Sequence, residues 1–224
     1  MPNVYVSTVR MSNERAISPV VYRRAETGKV LAPEHHVVWS LFNRDEIERN
    51  WLYRRLTERS LRLVSSKAPT SSPYATVVAT REQSYDWLQT GMRLVFKLRA
   101  NAVQRVIVGG KTRKVDVVMH ALHPLSPEER SERREEITQS AHLAWMQRQG
   151  EAHGFSVEHE TFQVVAHYRD RIPRRNAAPA LINCAELVGL LTITDPGAFG
   201  MCLSQGLGAS RSFGCGLLEV ARVN

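Results

Sequence analysis

Between Gln205 and Leu218 the chain reads Gln205-Gly206-Leu207-Gly208-Ala209-Ser210-Arg211-Ser212-Phe213-Gly214-Cys215-Gly216-Leu217-Leu218, with four glycines, two serines and one arginine. Glycine at that density lets a backbone take positive φ and come close to a neighbour or a ligand. N–H groups exposed in such turns, beside an arginine, make a seat for phosphate oxygens. The stretch also restricts the fold. A dinucleotide-binding unit needs a helix and a further strand behind its glycines, about thirty residues in all. Only eight residues follow Gly216, so a Rossmann unit is not expected and the glycines must serve another arrangement.

The charge balance suits a phosphate-rich ligand. Thirty Lys+Arg face 22 Asp+Glu for a net charge of +8, and 25 of the thirty cations are arginine. The guanidinium is planar and forked, which suits bidentate phosphate contacts and stacking on bases. A nucleic-acid partner therefore explains the charge better than solubility does. Three cysteines, Cys184, Cys202 and Cys215, are odd in number and lack CxxC spacing. This argues against a disulfide framework or a zinc site and for a reducing compartment. No basic leader with an apolar core opens the chain, and no apolar run has the length of a membrane span, so a soluble cytoplasmic protein is expected.

Along the chain, Val4–Met11 alternates as a strand and residues 12–32 read as a loop or short hairpin. A helix is expected from Pro33, a residue favoured at the first helical position, with Val38, Trp39, Leu41 and Phe42 as its apolar face. Strands are expected at Trp51–Leu56, Leu61–Val64 and Tyr74–Thr80, with an exposed linker over Ser65–Pro73. Arg93–Leu98 opens a second half. Val103–Val108 and Lys114–Met119 flank Gly109-Gly110 as a hairpin. Ser126 with Glu129 forms a capping box for a long helix running to Gln149. Strands at Phe162–Tyr168 and Leu187–Thr194, a helix over Asp195–Gln205 and a strand over Phe213–Val223 complete the order. Such an order predicts an α+β protein of two units, each an antiparallel sheet with helices on one face.

Few motifs survive inspection. Val106–Thr112 resembles the end of a P-loop, but the glycine it requires is replaced by Arg105 and the chain continues as strand. His120 and His123 lack partner ligands and read as structural. Arg93–Lys114 holds seven basic residues and no acid, and Arg169, Arg171, Arg174 and Arg175 surround a single acid, Asp170. Either cluster alone is a solvated face; together with the cationic glycine loop they predict a polyanion track. His35-His36 lies in the first turn of the predicted helix, where free N–H groups favour an anion. A histidine there can shuttle protons beside a phosphate, although spacing alone reads first as a surface pair.

Assembled, these segments resemble a known family. Gly206-x-Gly208-x-x-Arg211-Ser212-x-Gly214-Cys215-Gly216-Leu217-Leu218 resembles the glycine-rich loop of the CRISPR repeat-processing endoribonucleases, most closely the CasE family of the type I-E Cascade complex. Phe96-Lys97-Leu98-Arg99-Ala100-Asn101, Ile137–Phe155 with its Ala144-Trp145-Met146-Gln147-Arg148, and Gly189-Leu190-Leu191-Thr192-Ile193-Thr194-Asp195 resemble further segments of that family. The resemblance spans essentially the whole chain. It implies two ferredoxin-like (RRM-like) domains in tandem. Residues 1–90 would carry the catalytic histidine, and residues 91–224 the RNA-binding hairpin, arginine cluster and glycine loop.

The implied substrate is the stem-loop of CRISPR repeat RNA. Cleavage would need neither metal nor cofactor: a ribose 2′-OH attacks the adjacent phosphate, leaving a 2′,3′-cyclic phosphate and a 5′-OH. The register of Trp39-Ser40-Leu41-Phe42 places the family histidine at His35, with His36 one residue out of register. Two positions depart from the pattern. Ala32 stands where the family commonly has tyrosine, a role open to Tyr22, to Tyr5 or to another cation that orients the phosphate, and Ala102 replaces a proline after Asn101.

A duplex stem is read by shape and backbone contacts. Arg99, Arg105, Lys111, Arg113 and Lys114, with Arg169, Arg171, Arg174 and Arg175, are expected to grip that backbone. Gly206, Gly208, Ser210, Arg211, Ser212, Gly214 and Gly216 are expected to hold the base of the stem near His35. The resemblance further implies retention of the product as a Cascade subunit, beside other subunits including the backbone subunit. One rival is a non-cleaving hairpin-binding module on the same scaffold. Another is an unrelated tandem-RRM protein binding single strands.

Overall fold

A computed structural model describes residues 3–12, 33–43, 51–174 and 177–223. The first sheet collects β1 (Val4–Met11), β2 (Trp51–Thr57), β3 (Ser60–Ser65) and β4 (Ala75–Gln83) in the antiparallel order β2-β3-β1-β4. One face is covered by α1 (Pro33–Trp39). Val37 and Val38 of α1, with Leu41 and Phe42 behind it, pack on Val9, Leu61, Leu63, Trp51 and Tyr53. Beyond Ser12, the loop or hairpin expected over residues 12–32 lies outside the described residues. Residues 66–74 join β3 to β4 without a helix, as their linker composition predicts.

The second sheet is built from β5 (Arg93–Ala100), β8 (Phe155–Val157), β9 (Gln163–Arg174), β10 (Ala177–Ile193) and β11 (Leu218–Arg222). Its antiparallel order is β11-β5-β10-β8, with β9 also paired to β10. Between these strands come a separate hairpin, β6 (Val103–Val108) and β7 (Lys111–Asp116), and the helices α2 (Val117–Leu122), α3 (Pro127–Glu132), α4 (Arg134–His153) and α5 (Pro196–Gln205). Phe96, Leu98, Leu187 and Leu191 from the sheet, and Trp145, Met146, Phe199 and Leu203 from α4 and α5, form its core. Each such side chain contributes about 1.5–3 kcal/mol on full burial. Both sheets follow one strand plan: counted in chain order the first runs 2-3-1-4, and the second runs 4-1-3-2 once β8 and β9 are taken as one edge. This is the split β-α-β topology, and the expected α+β class is observed.

At β2 the two sheets meet. Trp51 to Arg54 are all buried. Alternation puts Trp51 and Tyr53 on the α1 side, whereas Leu52 joins Val4 and Val64 in the core of the second sheet.

Several boundaries differ from expectation. The second arm of the glycine hairpin ends at Asp116, because the Asp116 carboxylate accepts the Met119 N–H at 2.9 Å and starts α2. The long helix keeps its capping box at Ser126 and Glu129 but breaks at Arg133. α3 buries no residue, whereas the packed face begins at Ile137 in α4. β9 and β10 are longer than expected, continuing as a two-stranded arm past the end of β5. Arg211–Phe213 is a 3-10 turn, so the last strand begins only at Leu218.

Candidate functional site

Three segments converge on Arg99-Ala100-Asn101 at the end of β5: the β6–β7 hairpin, β10 and the glycine loop. The β6–β7 hairpin leaves the sheet directly after them. Ala100 pairs with Ala185, where β10 passes the end of β5, and Asn101 Nδ2 donates to the Asn183 carbonyl at 2.8 Å. The glycine loop docks on the same residues: Gly216 N–H donates to the Arg99 carbonyl at 2.8 Å and Ala209 N–H to the Asn101 carbonyl at 3.2 Å.

Close packing accounts for the glycines of this loop. Gly206 (φ +78°) and Gly216 (φ +92°) lie side by side, and a Cβ on Gly216 would come within 2.6 Å of the Leu207 carbonyl oxygen. Leu207 N–H donates to the Gly216 carbonyl at 2.9 Å, and Gly206 N–H to the Cys202 carbonyl at 2.7 Å. The amides of Gly206 and Gly216, expected at the RNA, are therefore spent inside the fold. Gly208 abuts Trp145 and Gly214 abuts the Tyr53 ring. What faces outward is the turn from Ser210 to Ser212, half-buried to exposed. Ser210 takes φ +56°, the only positive φ on a non-glycine among the described residues. Arg211 is exposed, its Nε 3.4 Å from the Gly208 carbonyl oxygen.

The candidate histidine reaches this loop through aromatic side chains of β2. His35 sits on α1 with its ring centroid 5.1 Å from Trp51, and Trp51 lies 5.9 Å from Tyr53. The Tyr53 hydroxyl donates to the Ser212 carbonyl at 2.8 Å. Trp39, one turn along α1, donates its indole N–H to His35 Nε2 at 3.1 Å. That bond takes up the Nε2 lone pair of a neutral ring and so places the ring proton on Nδ1. Glu34, in the same first turn, is ion-paired with Arg55 of β2. His36, the out-of-register candidate, is only 7% exposed and turned inward, which removes it from a surface role. Tyr22 lies outside the described residues. Tyr5 is half-buried on β1, in one cross-strand row with Ser65 and Trp51. Two strand spacings, about 10 Å, separate its backbone from that of Trp51.

The expected cation track divides into two kinds. Arg105, Lys111, Arg113 and Lys114 are exposed on the β6–β7 hairpin, with Arg105 directly opposite Lys114. Like charges in that position repel, so the hairpin presents positive potential opposed within it only by Asp116, at the far end from its turn. Ile107 stands 79% exposed between them. Arg169 and Arg171 are exposed on the outer face of the β9–β10 arm, Arg169 Nε donating to Asn183 Oδ1 at 3.1 Å. The backbone of Arg174 closes β9, and Arg175 lies outside the described residues.

Arg99 departs from expectation. Its side chain is only 14% exposed, ion-paired with Asp170 and 5.5 Å from the Tyr168 ring centroid. It ties β5 to the β9–β10 arm, and its guanidinium is not a free grip on RNA. Beneath it the Sγ atoms of Cys184 and Cys215 lie 3.7 Å apart as free thiols. The hydrogen bond with Cys215 lowers the Cys184 pKa against the opposing effect of burial, with Arg99 adding to the lowering.

Sequence reasoning missed Arg54. Its guanidinium donates Nη2 to Glu186 Oε2 at 2.6 Å and Nη1 to Glu219 Oε2 at 3.0 Å. Arg62 reaches the other oxygen of Glu219 at 3.3 Å. An arginine in the middle of a strand carries no local mark of such a partner. No described helix is long and apolar enough to cross a membrane.

Known proteins resemble this chain over its whole length. The curated "CRISPR system Cascade subunit CasE" of Escherichia coli strain K12 is 28% identical over 215 residues, covering 92% of this chain and 98% of that protein. The crystal structure of the CRISPR-associated protein Cas6e from E. coli K-12 superposes with a TM-score of 0.66 at 25% identity, covering 98% of this chain and all of that one. Cse3 of Thermus thermophilus, solved with an RNA representing a pre-cleavage complex, shares the fold at a TM-score of 0.67 and 22% identity, over 98% of this chain and 99% of that one. The tandem ferredoxin-like architecture expected from the sequence is thus the fold of these proteins as well. The family model of the CRISPR associated proteins matches residues 4–222, and the chain belongs to that family.

Proposed function

We propose that this protein is an endoribonuclease that cuts CRISPR precursor RNA at the repeat stem-loop and keeps the product as a Cascade subunit. The observation that carries this reading is the link from His35 through Trp51 and Tyr53 to Ser212, which joins a proton-transfer group to the outward turn of the cationic unit. The E. coli relative, named a Cascade subunit, supports the same assignment. The β6–β7 cations and Arg169 and Arg171 hold the phosphates of the stem, while Arg211 and the Ser210–Ser212 turn hold its base. Such binding weakens steeply with added salt. The domain division falls between residues 90 and 91, in the connection from β4, ending at Gln83, to β5, beginning at Arg93. The protein works in the cytoplasm, in contact with other Cascade subunits including the backbone subunit.

The 2′-OH at the base of the stem attacks the neighbouring phosphate, the 5′ oxygen leaves, and the products carry a 2′,3′-cyclic phosphate and a 5′-OH. One group takes the 2′-OH proton and another supplies a proton to the leaving oxygen, and His35 is one of the two. No metal ion or cofactor takes part. Because Trp39 holds Nε2, His35 must exchange the indole N–H for an RNA oxygen before moving a proton there. Tyr22, Tyr5 or another cation takes the role of the family tyrosine that Ala32 replaces.

The occupied Nε2 also favours a second reading, a module that binds the hairpin without cutting it. One assay separates the two. Purified protein is incubated with a repeat hairpin in EDTA, alongside His35→Ala. The nuclease reading expects cleavage by wild type, no cleavage by the variant, and equal hairpin affinity for both. Intact RNA with wild type selects the binding module.

A further inference from the structure

Where Leu52, Val4 and Val64 pack the first sheet onto the core of the second, one further buried side chain of β2 is an arginine. Arg54 sits on β2 with its side chain 8% exposed, and its two terminal nitrogens divide between Glu186 of β10 and Glu219 of β11. Those strands flank β5, since Glu186 pairs with Arg99 and Glu219 with Lys97. One guanidinium from the first sheet thus spans three strands of the second. Only a planar fork does this, because a lysine ammonium is a point charge on a single stem. Arg62, directly opposite Arg54 on β3, anchors the outer oxygen of Glu219.

Residues on either side of Arg54 place the candidate chemistry. Trp51 lies against His35, Tyr53 holds the glycine-loop turn at Ser212, and Arg55 is paired with Glu34 of α1. β2 is therefore the strand on which the histidine, the glycine loop and the second sheet are all referenced. We propose that Arg54 is a positioning residue, whose fork onto Glu186 and Glu219 sets the first sheet against the second and so sets His35 against the RNA held by the cationic unit. This rests on the nuclease reading above. The cations assigned to RNA lie on β6–β7, β9 and the glycine loop, so loss of Arg54 removes none of them. A misplacement of about 1 Å at a reacting centre costs about 100-fold in rate.

The test compares Arg54→Met with the triple variant Arg54→Met, Glu186→Gln, Glu219→Gln, in which no buried charge is left unpaired. Single-turnover cleavage at saturating protein, hairpin affinity and thermal midpoint are measured for each. Expected for the triple variant are a near wild-type midpoint and hairpin affinity, with cleavage about 100-fold slower. Wild-type cleavage in a folded triple variant overturns the proposal, as does a loss of affinity that accounts for the loss of rate. A second readout needs no cleavage. Spin labels at Val78→Cys and Val165→Cys replace valines exposed on the first and second sheets. Their distance distribution is expected to be narrow in wild type and to broaden or shift in the triple variant. An unchanged distribution sinks the positioning role, whereas intact RNA with wild type sinks only the nuclease reading.

Discussion

Replacing Tyr53 by Phe removes a single oxygen at the point where the first sheet holds the glycine loop. The side chain is 2% exposed, and its ring packs against Trp51 at 5.9 Å and beside Gly214, contacts the variant keeps. Lost is the hydrogen bond from the hydroxyl to the Ser212 carbonyl, 2.8 Å long. Such a bond is worth about 0.5–1.5 kcal/mol net, and an acceptor stranded away from water costs about 1–3 kcal/mol. Ser212 is half-buried, so water can replace part of the bond and the loss settles near 1 kcal/mol. For a chain of this size that lowers the melting temperature by about 2–4 °C. Tyr53→Ala, which also empties the ring site, should cost about 3–5 kcal/mol. Urea unfolding with both variants measures the difference, with an unchanged slope confirming that the denatured state is not involved. A Phe variant as stable as wild type, or as damaged as Ala, refutes the assignment of the hydroxyl as the tie.

Gly216→Ala and Gly109→Ala both place a side chain at positive φ, but only the first meets backbone, 2.6 Å from the Leu207 oxygen, while Gly109 has nothing within 4 Å. Gly216→Ala should prevent soluble folding or lower the melting temperature severely, and Gly109→Ala should cost no more than about 1–2 kcal/mol; equal melting curves for the two would contradict the packing argument. Acid should also weaken the fold. Burial lowers the pKa of His142, His167 and His153 below the ordinary 6.5, outweighing the Thr138 carbonyl and Asp116, which act the other way on His142, and Asp116, which does so on His167; Arg211 adds to the lowering at His153. The unfolded chain then binds more protons just below pH 6.5. The stability these neutral histidines provide is complete above 6.5 and drains away as pH falls through the lower folded values. Calorimetry from about pH 8 to pH 5 should show a plateau and then a decline, reduced in His142→Gln; a midpoint that rises on acidification contradicts it.

What the sequence disclosed and what it hid divide along the range of the interaction involved. Ser126 with Glu129, and Asp195 ahead of Pro196, mark helix starts because a capping side chain meets an amide within three residues. Alternation in Val4–Met11 marks a strand because one face is buried. Local competition already blurs Val115–Met119, where a β-branched run favours strand and the Asp116 cap wins it for helix. Residues Ala177–Cys184, rich in alanine and carrying Pro179 and Asn183, have little strand character of their own and become strand by pairing with β9. Arg54 and Arg99 lie at the far limit. Arg54 reads as one more strand arginine and Arg99 as a grip on RNA, yet each is withdrawn from solvent against carboxylates far along the chain, at 132 and 165 residues for Arg54 and 71 for Arg99. Burying an arginine without such partners is costly, so the ion pairs only become tolerable once both sheets exist. The glycine loop shows the same limit within a motif: its density announced close approach, but the atoms approached at Gly206 and Gly216 belong to the loop itself, Arg211 among them, and to Leu52 of β2. The segment read as a seat for phosphate is therefore first a joint of the fold. Its outward-facing part shrinks to Ser210, Arg211 and Ser212, held in place by a tyrosine from the other sheet.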